Sequence, residues 1–143
     1  MKAQIVEMNF GKLIIPANHI FYQKKYSFAF VNLKPFSKGH ILVCPTRQEK
    51  KFKDLNEIEA IELMISVRNI SSALKKYYKT DSVSIVIQDG EKSGQSIDHI
   101  HVHIIPCLDN NKITSVDNDN KEARSSEDME KEAVIYRKEF NIY

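Results

Sequence analysis

The sequence of 143 residues predicts a single α+β domain, residues 1–143, built on a mainly antiparallel sheet of about five strands. Two observations predict this class. Short β-rich runs lie on both sides of one long amphipathic segment, and a second amphipathic segment lies near the end of the chain. A chain of this length can bury one sizeable core, and its composition gives no sign of a second domain.

Four β-rich runs occupy the first third of the chain. Residues 10–15 (FGKLII) predict a short strand that ends at Pro16, and residues 19–23 predict another. Residues 27–32 (SFAFVN) and 40–44 (HILVC) flank a segment that is rich in turn residues. These two runs therefore predict the strands of a hairpin with a long loop.

A long helix is predicted at about residues 57–78. Asn56 and Glu59 form a capping-box pattern that marks its start. Apolar residues then recur at mostly helical spacing and predict the buried face: Ile58, Ile61, Met64, Ile65, Ile70, Ala73, Leu74 and Tyr77. The predicted solvated face carries Glu62, Arg68, Lys75 and Lys79.

The last third of the chain combines two strands, a polar loop and a helix. Residues 83–88 (VSIVIQ) and 99–106 (HIHVHIIP) predict neighbouring antiparallel strands, because the loop between them is short. Residues 109–124 are polar and predict a mobile loop. Residues 125–140 predict a C-terminal helix. Its predicted buried residues are Met129, Ala133, Tyr136 and Phe140.

Composition narrows the class of partner. The net charge of +2 is too small to predict nucleic acid or an anionic membrane as a partner through bulk electrostatics. No apolar run approaches the roughly 18 residues of a membrane span. The N-terminus is a poor signal peptide, and Cys44 and Cys107 do not suggest a disulfide framework. We expect a soluble cytoplasmic protein, and a nuclear location is also compatible with the sequence.

Residues 99–106 carry the strongest functional signal. In a strand, His99, His101 and His103 would share one face, with neighbouring side chains about 6.5 Å apart. The β-branched residues between them would anchor the other face in the core. A row of imidazoles supplies nucleophiles, acid–base groups or metal ligands, whereas the simplest alternative is that each ring donates to a backbone carbonyl.

Zinc binding and nucleophilic catalysis are the two chemical interpretations. Three alternating strand residues span about 13 Å, whereas nitrogens around one zinc ion lie about 3–3.5 Å apart. Three histidines in such a row therefore rarely converge on one ion, and Asp89 or Asp98 would have to complete a zinc site. A neutral imidazole attacks phosphorus at pH 7 if an acceptor holds the proton on its other nitrogen. His101, with a histidine on each side, is the expected nucleophile. Backbone N–H groups of residues 93–96 and the Gln95 amide could then line up on the phosphate.

The chain resembles the histidine-triad (HIT) family, whose signature is His-x-His-x-His followed by two apolar residues. It is most similar to the fragile-histidine-triad (Fhit) branch, the dinucleoside triphosphate hydrolases. The motifs that carry the likeness are SFAFVNLKPFSKGHILVCP (27–45), VIQDGEKSGQS (86–96) and RSSEDMEKEA (124–133). The likeness covers residues 10–108 well and the C-terminal helix adequately.

The resemblance implies a homodimeric α+β domain that binds a dinucleoside polyphosphate or an adenine nucleotide. His101 would attack the α-phosphate of a dinucleoside triphosphate of the Ap3A type and expel a nucleoside diphosphate. Water would then hydrolyse the nucleotidyl-histidine, so that AMP and ADP are released. It implies no tightly bound cofactor and no protein ligands to a metal, with Mg²⁺ or Mn²⁺ entering on the substrate phosphates.

The resemblance also implies individual roles. His103 matches a histidine that contacts the α-phosphate, His99 the supporting member of the triad, and His40 a histidine behind it. Asn32 matches a ribose contact. Positions along the phosphate chain are matched by Gln88, Gly94, Gln95, Ser96 and Ile97, and positions of an apolar slot for the base by Phe10, Ile15, Phe30 and Leu42. Each has a structural alternative, since the apolar four could be core residues and Asn32 could cap a strand.

Two departures from the branch and two rival functions remain open. Leu13 stands where the branch often has a histidine, and the loop 108–124 is short and has no tyrosine. One rival is a nucleoside phosphoramidate hydrolase, and the other is a nucleotide-binding signalling module with slow turnover. Gln88, the Ile105-Pro106 ending and the absence of tryptophan favour the triphosphate hydrolase over the phosphoramidate hydrolase.

Overall fold

A two-stranded hairpin precedes the main sheet in the computed structural model, which describes residues 4–110, 113, 116 and 121–140. Its strands are β1 (Met8–Phe10) and β2 (Leu13–Ile15). The prediction of one strand over residues 10–15 is therefore wrong. Gly11 has a φ of +60°, which lets the chain reverse within a two-residue loop.

The main sheet has five strands, and all neighbouring pairs are antiparallel. The strands are β3 (Ile20–Gln23), β4 (Ser27–Val31), β5 (Ile41–Pro45), β6 (Val83–Ile87) and β7 (Val102–Pro106). Their spatial order is β3-β4-β5-β7-β6, which leaves β6 at an edge. The predicted α+β class, the hairpin of β4 and β5 and the pairing of β6 with β7 are confirmed.

Helix α1 (Glu57–Tyr78) begins and ends where the sequence predicts. The Asn56 side chain accepts a hydrogen bond from the Glu59 backbone N–H, and the Glu59 side chain accepts one from the Asn56 N–H, which completes the predicted capping box. The helix lies across β4, β5 and β7. Its most deeply buried apolar residues are Leu63, Val67, Ile70 and Leu74.

The predicted buried face of α1 is wrong in most of its members. Only Ile70 and Leu74 of that set are buried, whereas the following apolar residues are exposed: Ile58, Ile61, Met64, Ile65 and Tyr77. The true buried face includes the polar residues Glu59, Ser66 and Ser71, and two of them are satisfied by partners on other parts of the chain. Ser66, for example, bonds to the hydroxyl of Tyr22 in β3 at 2.8 Å. Burial therefore follows the partners available, and not hydrophobicity alone.

Helix α2 (Ser126–Phe140) confirms the predicted C-terminal helix to within one residue. Met129, Ala133 and Tyr136 are buried as predicted, and Phe140 is partly buried. The mobile loop predicted at residues 109–124 falls largely outside the described residues. No helix in the described part of the chain is both long enough and apolar enough to span a bilayer.

The two faces of the main sheet have different neighbours. One face packs against α1 and α2 through residues such as Val43, Val102 and Ile104. The other face carries Phe28, Phe30 and Leu42, and Phe10 of the hairpin packs against this set. The fold therefore leaves the second face for the hairpin and for the histidine-containing segment.

Candidate active site

A row of side chains across three strands forms the floor of the candidate site. Phe30 of β4 lies opposite Leu42 of β5, and Leu42 lies opposite His103 of β7. Opposite residues in antiparallel strands share one face of the sheet. The Phe10 ring approaches this row from the hairpin, with its centroid 5.1 Å from that of Phe30 and 5.1 Å from that of His101.

A cavity of about 400 Å³ lies above this floor. It brings together eleven of the residues that the sequence predicts for the site: Phe10, Ile15, Phe30, Asn32, Leu42, Gln88, Gly94, Ser96, Ile97, His101 and His103. Three predicted site residues do not line it, namely His40, His99 and Gln95. Apolar side chains dominate the end near the hairpin, whereas the histidines and the 88–97 loop supply polar groups.

His99 is a fully buried support with no free ring nitrogen. Its Nε2–H donates to the Pro45 carbonyl at 2.7 Å, and its Nδ1 accepts from the Gly11 N–H at 3.2 Å. These two bonds fix a neutral ring with the proton on Nε2. His99 therefore joins the end of β5 to the hairpin turn.

The strand predicted over residues 99–106 begins only at Val102, so the prediction of three histidines on one regular strand is wrong. The ladder between β5 and β7 stops at the Val43–Val102 pair. Beyond it the backbone bonds elsewhere, since the Ile100 N–H donates to the Glu49 carbonyl. His101 and His103 consequently lie with ring centroids 4.9 Å apart.

His101 presents one unprotonated nitrogen. Its Nδ1 lies 2.8 Å from the His99 carbonyl, and a carbonyl only accepts, so Nδ1 carries the proton. Nε2 is then left with its lone pair. Burial lowers the pKa of His101, and the ring is therefore neutral at pH 7. This is the state in which imidazole is nucleophilic.

A chain of hydrogen bonds fixes the proton of His103. The Phe36 N–H donates to His40 Nδ1 at 2.8 Å, so the neutral His40 ring carries its proton on Nε2. That Nε2–H donates to His103 Nδ1 at 2.9 Å, because the other group near it, the Asn32 Nδ2 at 3.3 Å, is an amide donor and cannot accept a proton. His103 must then carry its own proton on Nε2, which is buried and has no hydrogen-bond partner in the described part of the chain.

Both rings of this chain stay neutral at pH 7. Burial lowers the pKa of His40 to about 4, with a further contribution from the nearby charge of Lys121. Burial likewise lowers the pKa of His103 to about 3. The site therefore combines an unprotonated ring nitrogen on the neutral His101 with an N–H group on the neighbouring His103. Such a pair can attack an electrophilic centre and stabilise charge that builds on one of its oxygens.

Several polar side chains of the 88–97 loop are hydrogen-bonded to backbone groups and so help to hold the loop in place. Gln95 accepts from the Gly90 N–H at 2.8 Å and donates to the carbonyls of Lys50 and Ile97 at 2.9 and 3.0 Å. This explains why Gln95 does not line the cavity. Gln88, in contrast, has one bond to the described part of the chain, from its Nε2 to the Ser93 carbonyl, and it lines the cavity.

Comparison with known proteins places this geometry in a family. The family model of the HIT domain matches residues 15–110 of this chain. The chain belongs to the HIT family. It is 40% identical over 133 residues to a bis(5'-adenosyl)-triphosphatase of Dictyostelium discoideum. The match covers 90% of this chain and 89% of that protein. It is also 40% identical over 139 residues to the nitrilase and fragile histidine triad fusion protein NitFhit of Caenorhabditis elegans.

Solved structures agree with the placement in the Fhit branch. The crystal structure of C. elegans NitFhit has a TM-score of 0.83 and 36% identity over 99% of this HIT protein. The chain spans only 31% of that structure and 32% of the fusion protein's sequence. Plasmodium falciparum diadenosine triphosphate hydrolase, solved in complex with Cyclomarin A, has a TM-score of 0.82 and 33% identity, covering 99% of this chain and 87% of that one. The resemblance to the Fhit branch is confirmed.

Sequence reasoning missed part of the cavity wall of this HIT protein. The additional lining residues are Leu13, Ile14, Pro16, His19, Val31, Leu33, Lys34, Val116 and Met129. Gly11 could have indicated that Leu13 and Ile14 line the cavity, because a turn at this glycine folds β2 back towards the site. As for metals, no group of three or more His, Cys, Asp or Glu side chains within the described ranges is arranged to hold an ion.

Proposed function

We propose that this HIT protein hydrolyses dinucleoside triphosphates of the Ap3A type to AMP and ADP through a covalent nucleotidyl-His101 intermediate. The observation that carries the proposal is that two neutral rings lie with centroids 4.9 Å apart, His101 with a lone pair on Nε2 and His103 with its proton on Nε2. Relatives of the chain also support the proposal, since several are named bis(5'-adenosyl)-triphosphatase.

The cavity supplies places for each part of such a substrate. The apolar end, with Phe10, Phe30 and Leu42, has the shape and chemistry of a slot for a planar base. Asn32 also lines the cavity, and in this proposal it binds the ribose. Gln88 and the Gly94–Ser96 backbone would then face the phosphate chain.

The first chemical step forms a bond between His101 Nε2 and the α-phosphorus. The bond from that phosphorus to the bridging oxygen breaks, and ADP leaves with the electron pair. The positive charge that develops on the His101 ring is stabilised by its Nδ1–H bond to the His99 carbonyl, while His103 Nε2–H donates to a non-bridging oxygen. The second step reverses the roles, as water attacks phosphorus, loses a proton to solvent and displaces His101 from AMP.

The substrate in this proposal is the Mg²⁺ or Mn²⁺ complex of the dinucleoside triphosphate. The cation offsets the negative charge of the departing diphosphate. All protein groups in the steps above are neutral side chains or backbone groups.

The direct test is incubation of the pure protein with diadenosine triphosphate and Mg²⁺, followed by ion-exchange separation. We expect AMP and ADP in equal amounts, with label from ¹⁸O-water found only in AMP. A substrate made chiral at the α-phosphorus by sulfur substitution should react with retention, because two displacements invert the centre twice. His101→Asn should keep substrate affinity within a few-fold while abolishing turnover.

Each alternative gives a distinct result. Inversion at phosphorus, or undiminished turnover by His101→Asn, would overturn the covalent mechanism. Cleavage of adenosine phosphoramidate in a parallel reaction, with diadenosine triphosphate intact, would assign the phosphoramidase activity instead. Binding of both compounds without cleavage of either would support the signalling module.

The homodimer is part of the same proposal. The exposed apolar residues of α1 recur at helical spacing, with Ile58 60% and Ile61 59% exposed, and β6 is an unpaired sheet edge that carries the exposed Ile85. A second copy of this chain would cover both features. Light scattering should give the dimer mass for the wild type and the monomer mass for Ile61→Glu. Val134→Glu, at a similarly exposed position on α2, is the matched control and should stay dimeric.

A further inference from the structure

The segment 121–124 holds four carbonyls of the loop between β4 and β5. The Arg124 guanidinium donates to the Asn32 carbonyl through Nε at 3.1 Å and through a terminal nitrogen at 2.5 Å, and the Arg124 backbone N–H donates to Leu33 at 3.1 Å. Lys121 Nζ donates to the carbonyls of Pro35 and Phe36 at 3.1 and 2.8 Å. We call residues 121–124 the strap.

One peptide plane joins the strap to the hydrogen-bond chain of the site. The Pro35 carbonyl and the Phe36 N–H belong to the same peptide unit, which is rigid and planar, so they point in opposite directions. The carbonyl faces Lys121, and the N–H donates to His40 Nδ1 at 2.8 Å. A donor that holds the carbonyl therefore also aims the N–H at His40.

The strap is itself anchored to both helices. Arg124 forms an ion pair of 2.7 Å with Glu132 of α2, and both side chains are largely buried. The other carboxylate oxygen of Glu132 accepts from the Tyr136 hydroxyl at 2.5 Å. The Tyr136 hydroxyl is also hydrogen-bonded at 2.7 Å to the hydroxyl of Tyr78, the last residue of α1. Contacts with both helices thus support the loop between β4 and β5, which belongs to no ladder of the described sheet.

We propose that Lys121 and Arg124 are positioning residues for His103. They orient the Pro35–Phe36 peptide, which places the proton of His40 on Nε2 and thereby keeps the proton of His103 on Nε2, the ring nitrogen that has no partner in the described part of the chain. The link to phosphate binding rests on the proposed function. The link to the tautomers rests only on the bonds described above.

The strap charges act in the same direction as its hydrogen bonds. The charged and titratable groups around His40 are Lys121, Arg124, His101 and His103, and each positive charge among them disfavours a second proton on His40. A protonated His40 would carry N–H on both nitrogens and could not accept from Phe36. The strap therefore keeps His40 in the only form that continues the chain.

The test reads the tautomers directly from the ¹⁵N resonances of the histidine rings. In the wild type, Nε2 of His40 and His103 should be protonated and Nδ1 unprotonated. In Arg124→Gln and Lys121→Met, we expect both rings to become mixtures of tautomers and the pKa of His40 to rise. Arg137→Gln is the matched control, since Arg137 also donates to carbonyls, those of Ala17 and Ile20, outside this chain of bonds.

Kinetics give the second readout. If the proposed hydrolysis operates, kcat should fall about tenfold or more in both strap variants through misplacement of the His103 donor, with KM changed only a few-fold. Folded strap variants with wild-type tautomers would overturn the inference. If Arg124→Gln does not fold, Lys121→Met alone tests the inference, because Lys121 is exposed and its substitution leaves the core unchanged. A wild type without hydrolytic activity would refute the proposed function but leave the tautomer result valid.

Discussion

Lowering the pH from 7 to 5 should remove a substantial part of the folding stability. The folded protein keeps His40 and His103 neutral at pH 5, because burial lowers their pKa values to about 4 and about 3. In the unfolded chain a histidine, with a pKa of about 6.5, takes up a proton at that pH. The unfolded state therefore binds more protons, so stability that is fully present above pH 6.5 is lost as the pH falls towards 4.

The magnitude follows from the distance between pH 5 and the unfolded pKa. That distance corresponds to about 2 kcal/mol for each of the two rings, or about 4 kcal/mol for the pair. The other three histidines act in the same direction, since burial also lowers the pKa values of His19, His99 and His101. A loss of this size is a large fraction of the stability of a typical domain.

Urea titrations at pH 7 and pH 5 measure the effect. His40→Gln separates the titration from the lost hydrogen bond, because that bond is absent at both pH values in the variant. We expect the difference between the two free energies of unfolding to shrink by about 2 kcal/mol in this variant. A wild-type difference below about 1 kcal/mol would show that these rings do not stay neutral in the folded protein.

Three further substitutions test other features. Gly39→Ala should destabilise by about 2–5 kcal/mol, since Gly39 has a φ of +85° and a Cβ would lie 2.6 Å from Pro106 and 2.7 Å from Tyr78; a urea midpoint near that of the wild type would contradict the close packing. Asn56→Ala should lose about 1 kcal/mol through the helix cap in the same assay, and no loss would show that the cap is dispensable. Phe10→Ala should raise KM for the proposed substrate about tenfold with little change in kcat, whereas an unchanged KM would place the base elsewhere.

Local signals predicted the bounds of α1, whereas its buried face depends on distant residues. Asn56 and Glu59 are three positions apart, so the cap is visible in the sequence. Glu59 is nevertheless 3% exposed, because Arg47 donates two hydrogen bonds to its carboxylate. A pattern based on hydrophobicity places such a residue in solvent, and it places the exposed Ile58 and Ile61 in the core.

The histidine motif predicted which side chains meet at the site, but not how they are held. The roles of His101 and His103 depend on carbonyl and N–H partners that the residue types do not encode. The Phe36 N–H is decisive for the tautomers, yet its direction depends on Lys121, which is distant in sequence. Gln95 illustrates the same limit, since its amide is occupied by the carbonyl of Lys50, also far away in the chain.

The His103 N–H, which has no partner among the residues that the structure describes, has a consequence for the lifetime of the protein. A buried donor without an acceptor disfavours the fold by about 1–3 kcal/mol, so an apolar residue at this position would make a sturdier but inert chain. An oxygen that accepts from His103 would remove this disadvantage and shift the balance against open, protease-sensitive forms. Bound nucleotide would therefore slow proteolysis of the protein, in addition to any role in turnover.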